Sequence, residues 1–209
     1  MASLDLLSYS PVTGRRTSLP QNIRRALRAL LKSEVPFAVI GATALAVRGL
    51  PRMTEDLDVV VVTEDAFDAL DALENAGFSP AEPIARDGDP EAMYTLRGKD
   101  GQGEVDLLVS AGEPESTIVA EAPKAQVFGV DAPVATLEHL LLMYFYSNQP
   151  KHLGDFARIV VETQADLSFV ERYLADVHPE MLSVLRDRVL AARTPLAAPP
   201  RPPARRPRR

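Results

Sequence analysis

Two aspartates at the head of a short apolar run constrain this chain more than any other feature. The run from Leu57 to Val62 is rich in valine, with Asp56 just before it and Asp58 inside it. Side chains at positions i and i+2 of a strand share one face of a sheet, so these carboxylates are expected to point together. Like charges held close repel unless a cation lies between them. The pattern predicts a buried strand with a cation site at its start.

A third aspartate lies in a second apolar run, from Glu104 to Val109. A carboxylate such as Asp106 is costly to bury unless it is paired or bound to a metal. Three aspartates on neighbouring strands can hold two Mg²⁺ ions about 3.5–4 Å apart, an arrangement suited to in-line nucleotidyl displacement. Glu104 points to the same face as Asp106 and is either a spare ligand or, more simply, a solvated loop residue.

Gly41 ends an earlier apolar run, Val35 to Ile40, and Ala42 begins a short helix. Free backbone N–H groups and the positive end of that helix would then lie opposite the carboxylates, where a phosphate group could bind.

The remaining pattern predicts an α+β protein with a mixed sheet flanked by helices and followed by a small helical bundle. We divide the chain into an N-terminal segment (1–19), an α/β domain (20–135), a helical subdomain (136–194) and a disordered tail (195–209). Strands are expected at 35–40, 57–62, 93–97, 104–109, 126–128 and 132–134. Helices are expected from Ser18, over 42–47, from a Thr63 cap to Gly77, and over 113–121, 137–147, 151–163, 167–177 and 179–193.

Composition excludes several classes of site. The chain has no cysteine, which removes disulfides, thiol nucleophiles and iron–sulfur clusters, and three histidines make a histidine-built metal site unexpected. A metal here would be a hard ion held by oxygen. No apolar run approaches the ~20 residues of a membrane span, and the N-terminus lacks a signal peptide, so we expect a cytoplasmic protein.

Charge is distributed unevenly along the chain. The net charge is −6, but the last fifteen residues contain five arginines, six prolines and no acid. Residues 1–194 then hold eighteen basic and 29 acidic residues, a net charge of −11. The tail is either a solubilising end or an arm that binds RNA phosphates.

Taken together, three motifs resemble the DNA polymerase β-type nucleotidyltransferase superfamily. They are Gly41-Ala42, Arg52-x-Thr54-x-Asp56-x-Asp58 before a β-branched strand, and Val105-Asp106-Leu107-Leu108. Within the superfamily the chain is most similar to AbiEii-type toxins and related bacterial nucleotidyltransferase-like proteins, over about residues 35–165. The resemblance implies a nucleotidyltransferase-like fold and transfer of NMP from an NTP to an acceptor hydroxyl, either a tRNA 3′ end or a protein. It also implies Mg²⁺ as cofactor and a possible cognate antitoxin as partner.

The resemblance also implies roles for individual residues. Asp56, Asp58 and Asp106 would be catalytic residues and metal ligands, with Asp106 also the base that activates the acceptor. Gly41 and Ala42 would bind nucleotide phosphates, supported by Arg52 and Thr54.

Further along, Lys151 and Asp155 match a second AbiEii-type motif and are candidate nucleotide-binding residues. Asn148 and His152 differ from that motif, and Tyr144 stands where the family has a helix lysine. Lys151 and Asp155 could also form a plain i, i+4 surface ion pair. The alternative functions are a catalytically weak nucleotide-binding module and an antibiotic-modifying nucleotidyltransferase.

Overall fold

The fold is described from a computed structural model that covers residues 2–10, 12–99 and 103–194. The predicted tail, 195–209, and the middle of the 98–103 turn lie outside the described residues. Within that part of the chain, no helix is long and apolar enough to cross a bilayer.

Helices and short strands alternate in the first two thirds of the chain, and helices alone follow. The helices are α1 (Ala2–Asp5), α2 (Leu19–Lys32), α3 (Gly41–Val47), α4 (Ala66–Asn75), α5 (Glu115–Glu121), α6 (Leu137–Tyr146), α7 (Pro150–Glu162), α8 (Leu167–Val177) and α9 (Leu182–Arg193). The strands are β1 (Ala38–Val39), β2 (Asp56–Val62), β3 (Phe78–Pro80), β4 (Met93–Gly98), β5 (Glu104–Ser110), β6 (Lys124–Val127) and β7 (Val130–Pro133).

Five of the strands form one mixed sheet in the order β1-β2-β5-β4-β3, and β6 pairs with β7 in a separate ribbon. The β2–β5 pair is parallel, whereas the other pairs are antiparallel. Helices flank the sheet, so the predicted α+β class is confirmed. The predicted 93–97/104–109 hairpin is present as β4 and β5.

Alternation along the strands places one apolar row in the main core and the aspartates on the opposite face of the sheet. On β2, Leu57, Val59 and Val61 are fully buried, and on β5 Val105 and Leu107 are buried with them. Apolar side chains of α2 and α4 join the same core. The intervening positions carry the aspartates, which are only half-buried. Burial of one face thus leaves the carboxylates on the other.

Some predicted elements differ in the structure. The strand expected over 35–40 shortens to two residues, since Pro36 has no N–H to donate to a neighbouring strand. Thr63 does not cap a helix: its hydroxyl donates to the Ser110 carbonyl oxygen at 3.0 Å, and a 3₁₀ turn precedes α4. The helix expected over 179–193 begins as a 3₁₀ turn before α9. Gly77, with φ of +88°, follows the C-cap of α4 as predicted.

Candidate active site

Two parallel strands bring the three aspartates together. The β2–β5 register places Asp58 directly opposite Asp106, and Asp56 lies two residues before Asp58 on the same face. One carboxylate oxygen from each residue lies within 4.8 Å of the others. Oxygen ligands at this spacing form the donor set that Mg²⁺ prefers. The three residues therefore fit a hard divalent cation.

The carboxylates are electrostatically strained in the absence of a cation. Burial and the charges of Asp56 and Asp106 raise the pKa of the Asp58 carboxyl to about 7, against the opposing charges of Lys151 and Arg52. Burial also raises the pKa of Asp106. Two positive charges nearby therefore do not cancel the repulsion, and a bound cation would do so directly.

Two threonine hydroxyls orient the outer carboxylates. Thr54 donates a short hydrogen bond to Asp56, and Thr95 donates to Asp106 Oδ1 at 2.6 Å. Thr95 was not identified from the sequence. Its position opposite Asp106 follows from the β4–β5 register, and counting outward from the 98–103 turn would have found it. These hydroxyls leave the second oxygen of each carboxylate free of side-chain hydrogen bonds among the described residues.

Gly41 lies against Asp58, with its backbone in the left-handed region at φ of +60°. A Cβ atom at this position would lie 1.9 Å from Asp58 Oδ2, well inside van der Waals contact. The Ile40 N–H also donates to the Asp58 carbonyl oxygen at 3.0 Å, which holds the start of α3 beside β2. Only glycine allows this approach. Ala42, the next residue, is buried inside α3.

The structure pairs Arg52 with Asp155, 103 positions further along the chain. Arg52 Nε lies 2.9 Å from Asp155 Oδ2, in an ion pair between the loop before β2 and helix α7. Asp155 is buried, with its side chain 5% exposed, and Arg52 is 27% exposed. The expected i, i+4 pair of Lys151 with Asp155 is absent among the described residues. The Asp155 carboxylate therefore holds Arg52 beside the cleft.

A cavity of about 430 Å³ opens over the carboxylates. Gly41, Arg52, Asp58 and Asp106 line one part of it, together with Lys151. Lys151 is exposed and forms no ion pair with a described residue, so its ammonium group is available to an anion. Another part of the wall is apolar and consists of Ile40, Met93, Leu108 and Met143.

Aromatic residues close the α6–α7 side of this cavity. The Tyr144 ring stacks on His152 with 4.9 Å between centroids, and His152 Nδ1 lies 2.7 Å from the Ser147 hydroxyl. The Tyr144 hydroxyl is buried and has no hydrogen-bond partner among the described residues. Burial and the Asp155 charge raise the pKa of Tyr144 well above its usual value, so the phenol stays neutral.

Two further residues considered from the sequence lie outside the carboxylate cluster. Asn148 accepts a hydrogen bond from Arg188 of α9 at 3.1 Å. Glu104 forms an ion pair with Arg97 at 2.9 Å on the same face of the sheet. Its carboxylate is thus partnered by a cation and does not join the three aspartates.

No protein-family model and no curated protein sequence matches this chain. Solved structures similar in fold include a candidate nucleotidyltransferase from H. pylori, with 20% identity over 82% of this chain and 80% of that one, at a TM-score of 0.48. The antibiotic-resistance factor ANT(2″)-Ia has 18% identity over 82% of this chain and 91% of that one, at a TM-score of 0.46. The lincosamide antibiotic adenylyltransferase LnuA has 12% identity over 71% of this chain and 100% of that one, at a TM-score of 0.48. The closer resemblance to AbiEii-type toxins stays a prediction.

Arg52→Ala and Asp155→Ala break the same ion pair but should lower the stability of the protein by different amounts. Arg52→Ala leaves a buried carboxylate without its cation. We expect the free energy of unfolding to fall by about 3 kcal/mol, the low end for a buried pair because Arg52 is 27% exposed. Asp155→Ala leaves a partly solvated guanidinium and should cost about 1 kcal/mol. Urea unfolding measures the stability of both variants. Arg158→Ala, which breaks the more exposed Arg158–Glu162 pair, is the control and should change the free energy of unfolding by about 0.5 kcal/mol or less. Equal losses at Arg52 and Asp155 would contradict this account.

Proposed function

We propose that this protein is a Mg²⁺-dependent nucleotidyltransferase that moves NMP from an NTP to an acceptor hydroxyl. The observation that carries the proposal is the convergence of Asp56, Asp58 and Asp106 from two parallel strands beside Gly41, at the wall of a cavity. Three carboxylates that repel one another suit a site that binds a metal–triphosphate complex. The resemblance of the sequence motifs to the polymerase β-type superfamily supports the same reaction.

Each residue of the cluster has a role in the proposal. Asp56, Asp58 and Asp106 hold Mg²⁺, which when bound neutralises the triphosphate and polarises the reacting phosphorus. The acceptor oxygen attacks the α-phosphorus, the bond to the β-phosphate oxygen breaks, and pyrophosphate leaves. Asp106 accepts the proton of the acceptor hydroxyl through the oxygen that Thr95 does not bind.

The phosphates would bind against the backbone of Gly41 and Ala42, where the missing side chain gives room. Lys151, which forms no ion pair within the described part of the chain, would donate to the same phosphates. Arg52 and Thr54 support this side of the site, with Thr54 acting by orienting Asp56. Asp155 is proposed as a positioning residue because its carboxylate is occupied by Arg52.

The acceptor is proposed to be RNA with a free 3′ end, such as tRNA, or a protein, and the chain to be the toxin of a toxin–antitoxin pair with a cognate antitoxin. The AbiEii-type resemblance supports this reading. A small organic acceptor, as in an antibiotic-modifying enzyme, is the second candidate. It is favoured by the cavity of about 430 Å³ with an apolar wall, the size and lining of many small-molecule sites.

The test combines binding and transfer. Calorimetry with each NTP should detect binding that requires Mg²⁺ in the native protein and is lost in Asp58→Ala, because the remaining carboxylates no longer hold the metal. Labelled NTPs are then incubated with total tRNA, protein extract or aminoglycoside and lincosamide compounds. Metal-dependent binding without transfer to any of these would favour the nucleotide-binding module. Unchanged binding in Asp58→Ala would overturn the metal site.

A further inference from the structure

Besides the tail at 195–209, a second segment of this acidic protein carries only basic charges. Residues 6–33 contain Arg15, Arg16, Arg24, Arg25, Arg28 and Lys32 and no acidic residue, in a chain whose net charge is −6. None of the six forms an ion pair with a described residue, whereas Arg52, Arg86, Arg97, Arg158 and Arg172 each pair with an acid. The segment therefore presents uncompensated positive charge.

Helix α2 carries half of that charge on one side. Arg24, Arg28 and Lys32 recur every four residues and so lie about 6 Å apart along the helix axis. They lie opposite the apolar stripe of Ile23, Ala26, Leu27 and Leu30, which is fully buried. Arg28 and Lys32 also line a hollow of about 420 Å³ between α2 and α4, whose lining residues include no acid. The regular spacing suits a ligand with repeated negative charges.

Basic residues of the loop before α2 lie close to the carboxylate cluster. Arg15 and Arg16 line a cavity of about 470 Å³ with Thr13, Thr54 and two acidic residues, Glu55 and Glu104. Thr54 is the residue that donates to Asp56, so this cavity adjoins the cluster. Glu104 is paired with Arg97 at 2.9 Å, and Glu55 accepts a hydrogen bond from Ser10 at 3.3 Å, so each carboxylate has a partner other than the two loop arginines.

From these observations we infer that Arg15, Arg16, Arg24, Arg28 and Lys32 form a basic face that binds the phosphates of an RNA strand. Because α2 covers the sheet face opposite the aspartates, the strand would run over α2 and pass the start of β2 beside Arg15 and Arg16. Its terminal hydroxyl would then reach the aspartates. Arginine and lysine contacts to phosphate position a strand without reading its sequence. Hydroxyl groups in the loop, such as that of Thr13, suit sugar and phosphate oxygens. The inference rests on the proposed function for the fate of the strand's end, but the basic face stands without it.

The test measures RNA binding alone. A fluorescent single-stranded oligoribonucleotide is titrated with the full chain across a range of salt concentrations, at constant Mg²⁺ and without NTP. The variants are Arg24→Gln/Arg28→Gln/Lys32→Gln and Arg15→Gln/Arg16→Gln. The matched control, Lys124→Gln/Arg186→Gln/Arg193→Gln, removes as much charge as the triple variant from exposed residues elsewhere, none of which is ion-paired among the described residues. Circular dichroism verifies that each variant is folded.

We expect the α2 triple variant to bind RNA at least about tenfold more weakly and to flatten the log–log salt slope by about 2, at about 0.7 per lost phosphate contact. The loop variant, which removes two contacts, should flatten the slope by about 1.4, and the control should leave the slope at its native value.

If the control variant loses as much RNA affinity as the α2 triple variant, only net charge matters. If the salt slope is unchanged in both test variants, RNA does not lie on this face. Either result, or absence of RNA binding by the native protein, overturns the inference. If the slopes change as expected while the native protein transfers no nucleotide, the proposed reaction fails and the basic face stands.

Discussion

Asp106→Asn should abolish nucleotidyl transfer while leaving nucleotide binding close to native. Asparagine keeps the volume of the side chain and an oxygen that can accept the Thr95 hydrogen bond at the native 2.6 Å. It removes the negative charge and the basic oxygen, which are needed when the acceptor hydroxyl loses its proton. Loss of a general base alone costs about 10²–10⁴-fold, and loss of a metal ligand adds to that. Transfer of labelled NMP and calorimetry of NTP binding measure the two effects separately.

A matched control is available on the same strand. Glu104→Gln removes a carboxylate two residues earlier on the same face, but one that is paired with Arg97 and lies outside the cluster. Its transfer rate should stay within about threefold of native, since exposed ion pairs contribute little. If Asp106→Asn transfers nucleotide at a rate like that of Glu104→Gln, Asp106 is neither base nor essential ligand.

Gly41→Ala should cost both binding and transfer, although it adds a single methyl group. The new Cβ would lie 1.9 Å from Asp58 Oδ2, so the carboxylate or the start of α3 must move. A displacement of about 1 Å at a reacting centre can reduce the rate by about 10²-fold. The left-handed backbone adds about 1–2 kcal/mol of strain for alanine. We expect Mg²⁺-dependent nucleotide binding to weaken and transfer to fall by at least about 100-fold.

Gly88→Ala provides the comparison, because nothing lies within 4 Å of a Cβ at that position and its φ is not left-handed. It should bind and transfer like the native protein, with unchanged thermal stability. Native nucleotide affinity in Gly41→Ala would show that the close approach to Asp58 has no functional consequence.

The site combines groups that work against stability with groups that hold them in place. Asp58 and Asp106 lie close together although this raises the pKa of each carboxyl group. Thr54 orients Asp56, and Thr95 orients Asp106. The Arg52–Asp155 ion pair connects the loop before β2 to α7. Functional sites commonly carry such local costs, which the rest of the fold compensates. The predicted losses at Asp106 and Gly41 follow from this crowding.

Local pattern was sufficient for most of the elements and for part of the site. The period of two along a strand placed Asp56 and Asp58 on one face, and the apolar run around Asp106 identified its strand. The short turn between β4 and β5 predicted their antiparallel pairing. The edge strand β3 was missed because Pro80 and its length of three residues give almost no periodic signal. The predicted division into domains and the tail at 195–209 stay predictions.

Contacts between distant residues were decided by tertiary structure alone. The parallel register that sets Asp58 opposite Asp106 joins residues 48 positions apart, and the Arg52–Asp155 ion pair joins residues 103 positions apart. No local propensity encodes such partners, because they depend on how whole elements pack. Packing also decides which carboxylate is buried and is therefore stabilised most by a nearby cation. The sequence by itself identified the three candidate carboxylates and the glycine beside them. Packing determined which of them meet, because only the folded chain fixes the distances between their charges.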